Sequence, residues 1–282
     1  TSMISEFNRF FSSQSLASTY KPTFIKCLLD LEDCKDDEGK QWIEKTKDSF
    51  IVDLNFVAVR FLRYYWPLLF NFKLKQQATA SPILVYQILE EYKEQMNVKS
   101  TPTKKFLCNK KFKELRDKTI KKGIQDQVLK KLLNDCKIYS ITKNMQKIKI
   151  KNEVVYYMHK NKKVLESALN HMIAKKIEKY NKDNPRISRK LEEKIKRISL
   201  KTKVFDKMIK DQDSVCFYCE KKPKKGKKFA QEHFIPWNFV FDTVKYNIVA
   251  ACPTCNSSKN DKLPHAKYKK LLLDRNDEIE DL

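Results

Sequence analysis

Two Cys-x2-Cys pairs constrain this chain more than any other feature. They stand as Cys216-Phe-Tyr-Cys219 and Cys252-Pro-Thr-Cys255, with residues 220–251 between them. Each pair closes a short turn that sets two sulfurs at chelating distance. Together they supply the four soft thiolates of a tetrahedral structural Zn2+ site. Disulfides are the competing use of such pairs, and they are disfavoured in the cytoplasmic setting expected here. No N-terminal stretch combines a basic start, an apolar run and a small-residue cleavage site. The most apolar segment, Phe50 to Phe72, is broken by Asp53, Asn55, Arg60, Arg63 and Pro67, so it reads as a buried helix, and no membrane association is expected. The remaining cysteines, Cys27, Cys34, Cys108 and Cys136, are scattered and read as free thiols.

A metal clip also explains how residues 213–282 fold at all. The stretch has few large apolar side chains, and bound zinc contributes folding free energy directly. A tetrathiolate ion keeps no open coordination position, so the chemistry is expected between the knuckles and not on the zinc. There stand Glu232-His233-Phe-Ile-Pro236 and Asn247; Asn256 follows Cys255 directly, and Lys259 lies three residues on. With the cysteine pairs, this arrangement resembles the HNH, or ββα-metal, nucleases, in the zinc-stapled branch that includes phage junction-resolving endonucleases and many restriction-type enzymes. A weaker likeness extends upstream through Ile177-Glu-Lys-Tyr-Asn181 and Asn184-Pro-Arg-Ile. The first 170 or so residues carry no such likeness.

The resemblance implies a hairpin with its first strand over Phe229–Ile235 and its second over Ile248–Ala251, then a helix from Pro253 to about Leu263. It implies that Glu232 and His233 end the first strand, that Asn247 stabilises the loop, and that Asn256 completes the site. The family's usual acid at the Glu232 position is Asp, and the extra methylene displaces the carboxylate by about 1.5 Å.

Elementary chemistry agrees with these roles. Phosphodiester hydrolysis needs an activated water, a cation on the phosphate oxygens and donors for transition-state charge. A near-neutral imidazole makes His233 the candidate general base. Glu232 and Asn256 offer hard oxygens to one divalent ion, Mg2+ or Mn2+. Neighbouring strand residues point to opposite faces, so Glu232 and His233 share a site only if the strand twists or ends there. Asn247 is read as a ligand of the loop that orients His233, and Lys259 as a phosphate contact. Plainer readings stand beside these: a helix-capping role for Asn256 and an ordinary solvated side chain for Lys259. His159, His171 and His265 lack a matching context and read as surface or packing residues. The Lys221–Lys228 run reads as an exposed loop that could touch a nucleic-acid backbone.

Charge adds a second line of argument. The chain holds 59 Lys and Arg against 35 Asp and Glu. Residues 1–100 are balanced, with 13 of each sign; residues 101–210 hold 33 basic and 11 acidic side chains; residues 211–282 hold 13 and 11. A proteome-wide lysine bias would raise all three segments alike. A concentrated excess is what a polyanion binder needs, because each neutralised phosphate releases counterions.

The expected architecture is α+β and predominantly α-helical, since the chain contains only 3 Gly and many apolar residues at helical spacing. Helices are expected over Ser15–Leu31, from Asp48 or Ser49 to Leu69 with an end or kink at Pro67, and over Ile83–Met96. An acidic loop spans Asp33–Glu38. Basic helices broken near Gly123 are expected over Lys104–Cys136, and a hairpin turning at Lys151-Asn152 within Ile138–Tyr157. Further basic helices are expected over Val164–Tyr180 and Ile187–Met208. The helix–hairpin–helix order is compatible with a winged-helix-like binder. Three regions follow: 1–100, a neutral helical scaffold or homodimerisation face; 101–212, a basic nucleic-acid-binding region; and 213–282, the zinc-stapled HNH domain. The expected function is a metal-dependent endonuclease acting on double-stranded DNA in restriction or phage defence. The alternatives are a structure-specific or RNA-acting nuclease, and a non-catalytic zinc-stapled nucleic-acid-binding module whose Glu232 marks a decayed site.

Overall fold

A computed structural model describes residues 3–12, 16–33, 39–98, 100–192 and 197–278. Cys34 and most of the expected acidic loop lie outside the described residues, as do residues 193–196 of the expected basic helix. The chain is an α+β protein dominated by helices, with small sheets. It divides into two compact units, Thr1–Glu193 and Lys194–Leu282.

The first unit contains helices α1 (Met3–Ser12), α2 (Tyr20–Leu28), α3 (Leu54–Trp66), α4 (Leu84–Met96), α5 (Lys104–Leu107), α6 (Lys113–Lys118), α7 (Asn152–Lys160), α8 (Lys162–Ile177) and α9 (Ile187–Lys190), with strands β1 (Ile43–Lys45), β2 (Ser49–Asp53), β3 (Ser140–Ile141) and β4 (Lys147–Lys151). One apolar core runs from Phe7 to Leu191. Helix α3 lies at its centre, buried almost all round from Leu54 to Trp66. Asp53 starts it, its carboxylate accepting the Asn55 amide at 2.8 Å. The α-helix ends at Trp66, and Pro67–Asn71 continue as a π-type turn.

Several expectations are corrected here. The long helix from residue 48 or 49 begins instead as strand β2, because Phe50 and Val52 alternate inward before Asp53 caps the helix. The four strands are antiparallel in the order β1-β2-β4-β3, with Phe50 opposite Ile150 and Val52 opposite Ile148. Strand β4 alternates as expected, Ile148 and Ile150 inside and Lys147, Lys149 and Lys151 outside. It turns back near residues 142–146 and not at Lys151-Asn152, where α7 begins, so Val154 and Tyr156 are helical. This sheet, shared with β1 and β2, replaces the winged-helix-like hairpin. Gly123 does not break a helix; it sits within the π-helical stretch Thr119–Leu129. An added Cβ there would lie 3.7 Å from the Phe61 ring. The expected boundary near residue 100 is also absent, since β2 pairs with β4 and one core spans both sides.

Part of the central positive charge is spent internally. Asp30 receives Arg60 at 3.2 Å, Lys104 at 3.1 Å and Lys162 at 2.7 Å. Burial pushes its carboxyl up, but Lys104, Lys162 and Arg60 outweigh that and hold it below the ordinary value. Arg116 is buried on the Leu107 and Asn109 carbonyls, at 2.8 and 2.7 Å. Net charge therefore overstates the positive surface.

The second unit contains α10 (Thr202–Asp211), β5 (Ala230–His233), α11 (Trp237–Val240), β6 (Ile248–Ala251), α12 (Pro253–Lys259) and α13 (Lys267–Glu278). Strands β5 and β6 form an antiparallel hairpin, Glu232 opposite Val249 and His233 opposite Ile248. All four β6 residues are buried, and the two-residue period sorts them. Ile248 and Ala250 join Phe205 and Met208 of α10, while Val249 joins Phe217, Phe234 and Leu272. Both clusters are small, which leaves a stabilising role for the cysteine clip. Among the described residues, no helix is long and apolar enough to cross a membrane.

Candidate active site

The cysteine clip forms from the two knuckle turns. The sulfurs of Cys216, Cys219, Cys252 and Cys255 all lie within 4.8 Å of one another, and Cys219 and Cys252 stand 3.9 Å apart. A tetrahedral zinc thiolate with Zn–S bonds of about 2.3 Å has sulfur–sulfur edges of about 3.8 Å, so the donor set fits Zn2+ in number, chemistry and span. None of these cysteines is in a disulfide. Burial pushes the Cys216 thiol up, but amide donors at Cys252, Cys219 and Tyr218 outweigh it and bring it down to about 7. The Cys252 amide itself lies 3.2 Å from that sulfur. At Cys216 these thiol–amide bonds favour the thiolate form that a metal needs, whereas burial pushes the Cys219 and Cys255 thiols up in the absence of an ion's charge.

The second knuckle leads directly into α12. Pro253 occupies the first turn, and the Cys252 sulfur accepts the Cys255 amide as an N-cap would. Asn256 is thereby delivered to a cleft of about 570 Å3, which it lines with Glu232, His233, Arg197, Trp237 and Asp261. Its side chain makes no hydrogen bond among the described residues. Strand β5 ends at His233, and there Glu232 and His233 come to border the same cleft.

Side-chain amides hold the surrounding backbone in the manner of extra strand neighbours. Asn247 accepts the Ile235 amide at 2.8 Å and donates to the Ile235 carbonyl at 2.9 Å. Its own carbonyl accepts the Phe234 amide at 2.8 Å. The turn that follows His233 is thus clamped on three bonds. Gln212 does the same for Ala250, at 2.8 and 3.2 Å, and Gln231 for Leu200, at 2.8 and 3.1 Å.

Both ring nitrogens of His233 are engaged. The Arg197 guanidinium stands 2.8 Å from Nδ1, and the Thr243 hydroxyl 3.1 Å from Nε2. A guanidinium only donates, so Nδ1 is the acceptor and Nε2 carries the proton. The residue is 3% exposed. Burial, then the positive charges of Arg197 and Lys259, lower its pKa to about 4 against a weaker pull from the Asp242 backbone. His233 is therefore neutral at physiological pH, with one basic nitrogen.

Glu232 and Lys259 form a buried ion pair. Lys259 Nζ meets Glu232 Oε1 at 2.6 Å, with side-chain exposures of 6% and 9% respectively. The same ammonium donates to the His233 carbonyl at 2.8 Å and reaches the Asn260 carbonyl at 3.4 Å. Its three protons are thus committed within the protein, which corrects the expectation of a phosphate contact. The helix places Lys259 one turn beyond Asn256, and that turn aims it at β5 and away from solvent. Glu232 Oε2 accepts no hydrogen bond among the described residues.

The other histidines are not among the residues that line this cleft. His159 lies 3.5 Å from Asp33, and His265 accepts the Lys267 amide at 3.2 Å; His171 is exposed. Sequence reasoning missed Arg197, Gln231 and Thr243. Gln231 and Thr243 carry no motif, and Arg197 is one basic residue in a basic run.

The model of the HNH endonuclease family matches residues 216–262. Residues 216–262 form an HNH domain. Its boundaries enclose both knuckles, the hairpin and α12, and the four clustered cysteines fit the zinc-stapled type. The HNH domain supports a nuclease or nucleic-acid-binding role. No curated protein and no solved structure matches the chain.

Proposed function

We propose that the chain is a metal-dependent endonuclease that hydrolyses phosphodiester bonds in double-stranded DNA. The observation that carries this reading is a single open cleft bordered by a neutral imidazole of defined tautomer, a carboxylate and an amide oxygen. His233 Nδ1 takes the proton of an attacking water as that water's oxygen bonds to phosphorus. The bond from phosphorus to the leaving sugar oxygen breaks, and solvent protonates that oxygen and later collects the proton from His233. Asn247 holds the turn that orients the ring. Glu232 Oε2 and the Asn256 amide oxygen would hold one Mg2+ or Mn2+, which supplies charge stabilisation on the phosphate oxygens when bound. The donor set fits a hard cation, and both oxygens are free of other partners among the described residues. Zn2+ on the four cysteines would be structural.

DNA affinity is assigned to exposed basic side chains. Lys147, Lys149 and Lys151 project from one face of β4, and six lysines from Lys221 to Lys228 are exposed. A restriction or phage-defence role is consistent with an HNH domain joined to a larger basic unit in one chain. Incubating the protein with plasmid and Mg2+ or Mn2+, alongside His233→Ala, tests the reading. Cleavage lost in the variant is expected; equal cleavage by both proteins would refute the role of His233.

One observation favours a second reading. Lys259 supplies Glu232 with a positive charge of its own, where the family's usual acid is the shorter Asp. A carboxylate satisfied in this way suits a non-catalytic zinc-stapled binding module. Binding of duplex DNA without cleavage in any divalent metal would establish that reading instead.

A further inference from the structure

The nitrogen that would take the proton from water is covered in the structure. Arg197 Nη2 lies 2.8 Å from His233 Nδ1, and because guanidinium groups have no acceptor, that contact occupies the ring's only lone pair. Thr243 fixes the tautomer from the other side. An imidazole held in this way is neutral but cannot act as a base.

Arg197 is held there by its backbone and not by a carboxylate. Three residues on, the Leu200 amide and carbonyl are both clamped by the Gln231 side chain, at 2.8 and 3.1 Å. Gln231 directly precedes Glu232 on β5, so the clamp ties the Arg197 segment to the strand that carries the site. Arg197 is an exposed residue that lines the cleft, and its contact with the ring is part-buried. The guanidinium's one hydrogen-bond partner among the described residues is the neutral ring. A guanidinium bonded to a neutral nitrogen through one contact lacks both the opposite charge and the second hydrogen bond that a bidentate contact with a phosphate provides. The cap is therefore weaker than the contact that a nucleic-acid backbone offers in the same cleft.

We propose that Arg197 is a substrate-displaced cap: it closes Nδ1 of His233 in the nucleic-acid-free protein and transfers to a backbone phosphate when a polynucleotide enters, uncovering the base. This rests on the reading of His233 given above and adds a regulatory residue that lies outside the matched HNH segment. It couples base activation to the presence of a phosphodiester chain.

The test reads the ring nitrogen and not turnover. The full chain, loaded with zinc and labelled with 15N at its four histidines, is followed by NMR without added Mg2+, so that a short DNA duplex stays intact. His233→Gln assigns the signal. The wild-type Nδ1 resonance is expected at the position of a hydrogen-bonded, unprotonated nitrogen. Duplex should move it downfield, to the position that Arg197→Ala shows without DNA. Inorganic phosphate at the same phosphate concentration should leave it in place. Arg197 is exposed, so the variant is expected to keep the wild-type melting temperature. An Nδ1 signal that is the same in wild type and Arg197→Ala, or that duplex does not move, would overturn the cap. Equal displacement by inorganic phosphate would overturn the assignment to a polymer backbone. A wild type that shows the shift yet cleaves nothing in any metal would refute the nuclease reading while establishing the cap.

Discussion

Replacing Lys259 with Met tests how the active-site strand is held. The substitution keeps most of the side-chain volume and removes the ammonium that bonds Glu232 Oε1 at 2.6 Å and the His233 carbonyl at 2.8 Å. Both members of the ion pair are more than nine-tenths buried. Removing one partner leaves a buried carboxylate uncompensated, which costs about 3–5 kcal/mol. The penalty belongs to the unpaired charge and not to the pair, so neutralising the survivor should recover most of it. Lys259→Met with Glu232→Gln is therefore expected to regain at least half of the loss. Hydrogen exchange of the β5 and β6 amides in the zinc-loaded chain reads this locally, and a cost near 3 kcal/mol accelerates exchange by about a hundredfold. A loss below about 1 kcal/mol, or a double variant no more stable than Lys259→Met, would refute the argument that this pair is a buried, coupled unit.

Further outcomes follow from the same geometry. Elemental analysis should find about one zinc per chain, and Cys216→Ser or Cys252→Ser should unfold residues 213–282 while the first unit, with its own core, keeps its hydrogen-exchange protection; a metal-free protein with an intact hairpin would contradict the clip. With His233 lowered to about 4 in the nucleic-acid-free protein, the base is deprotonated across the range where an ordinary histidine titrates, so the acid limb of kcat/KM, which reports the free enzyme, should fall below pH 6. Arg197→Ala removes one of the charges responsible and should move that limb upward; a wild-type midpoint at 6.5 or above would contradict the assignment. The linkage has the same sign: between about 6.5 and 4 the unfolded chain binds the proton that folded His233 refuses, so this residue lowers stability as pH falls through that window and has no effect above it. Changing Lys147, Lys149 and Lys151 together to Gln should lower the salt-dependence slope of DNA binding by about 2–3, roughly 0.9 per lost phosphate contact. An unchanged slope would remove the β4 face from the DNA interface.

The zinc clip and the hairpin were legible because their signals are local. Two Cys-x2-Cys turns and the run from Ile248 to Ala251 each declare themselves within a few residues, and β6 spans the expected strand. The first unit was less legible, since β2 and β4 pair across about a hundred residues and β2 is continuous with the apolar run of α3. Periodicity alone merges that strand into the helix. The alternation at Ile148 and Ile150 was a true strand signal, but its main partner was distant and not the next segment along the chain. Counting charge located the basic region and missed that Lys104 and Lys162 are paired with Asp30 and that Arg116 is buried. At the site, the motif named His233, Glu232, Asn247 and Asn256, all of which stand at or beside the hairpin. It could not name Arg197, whose place depends on a side-chain clamp from Gln231, nor foresee that Lys259 turns inward to Glu232.

The most direct measurement is single-turnover cleavage of supercoiled plasmid by the zinc-loaded wild type and His233→Ala, each with Mg2+ and with Mn2+. Metal-dependent conversion to nicked or linear DNA by the wild type, lost by at least a hundredfold in the variant, is the predicted result. Equal rates in the two proteins, or no cleavage by either in any metal, would contradict the proposal that this cleft is a hydrolytic site.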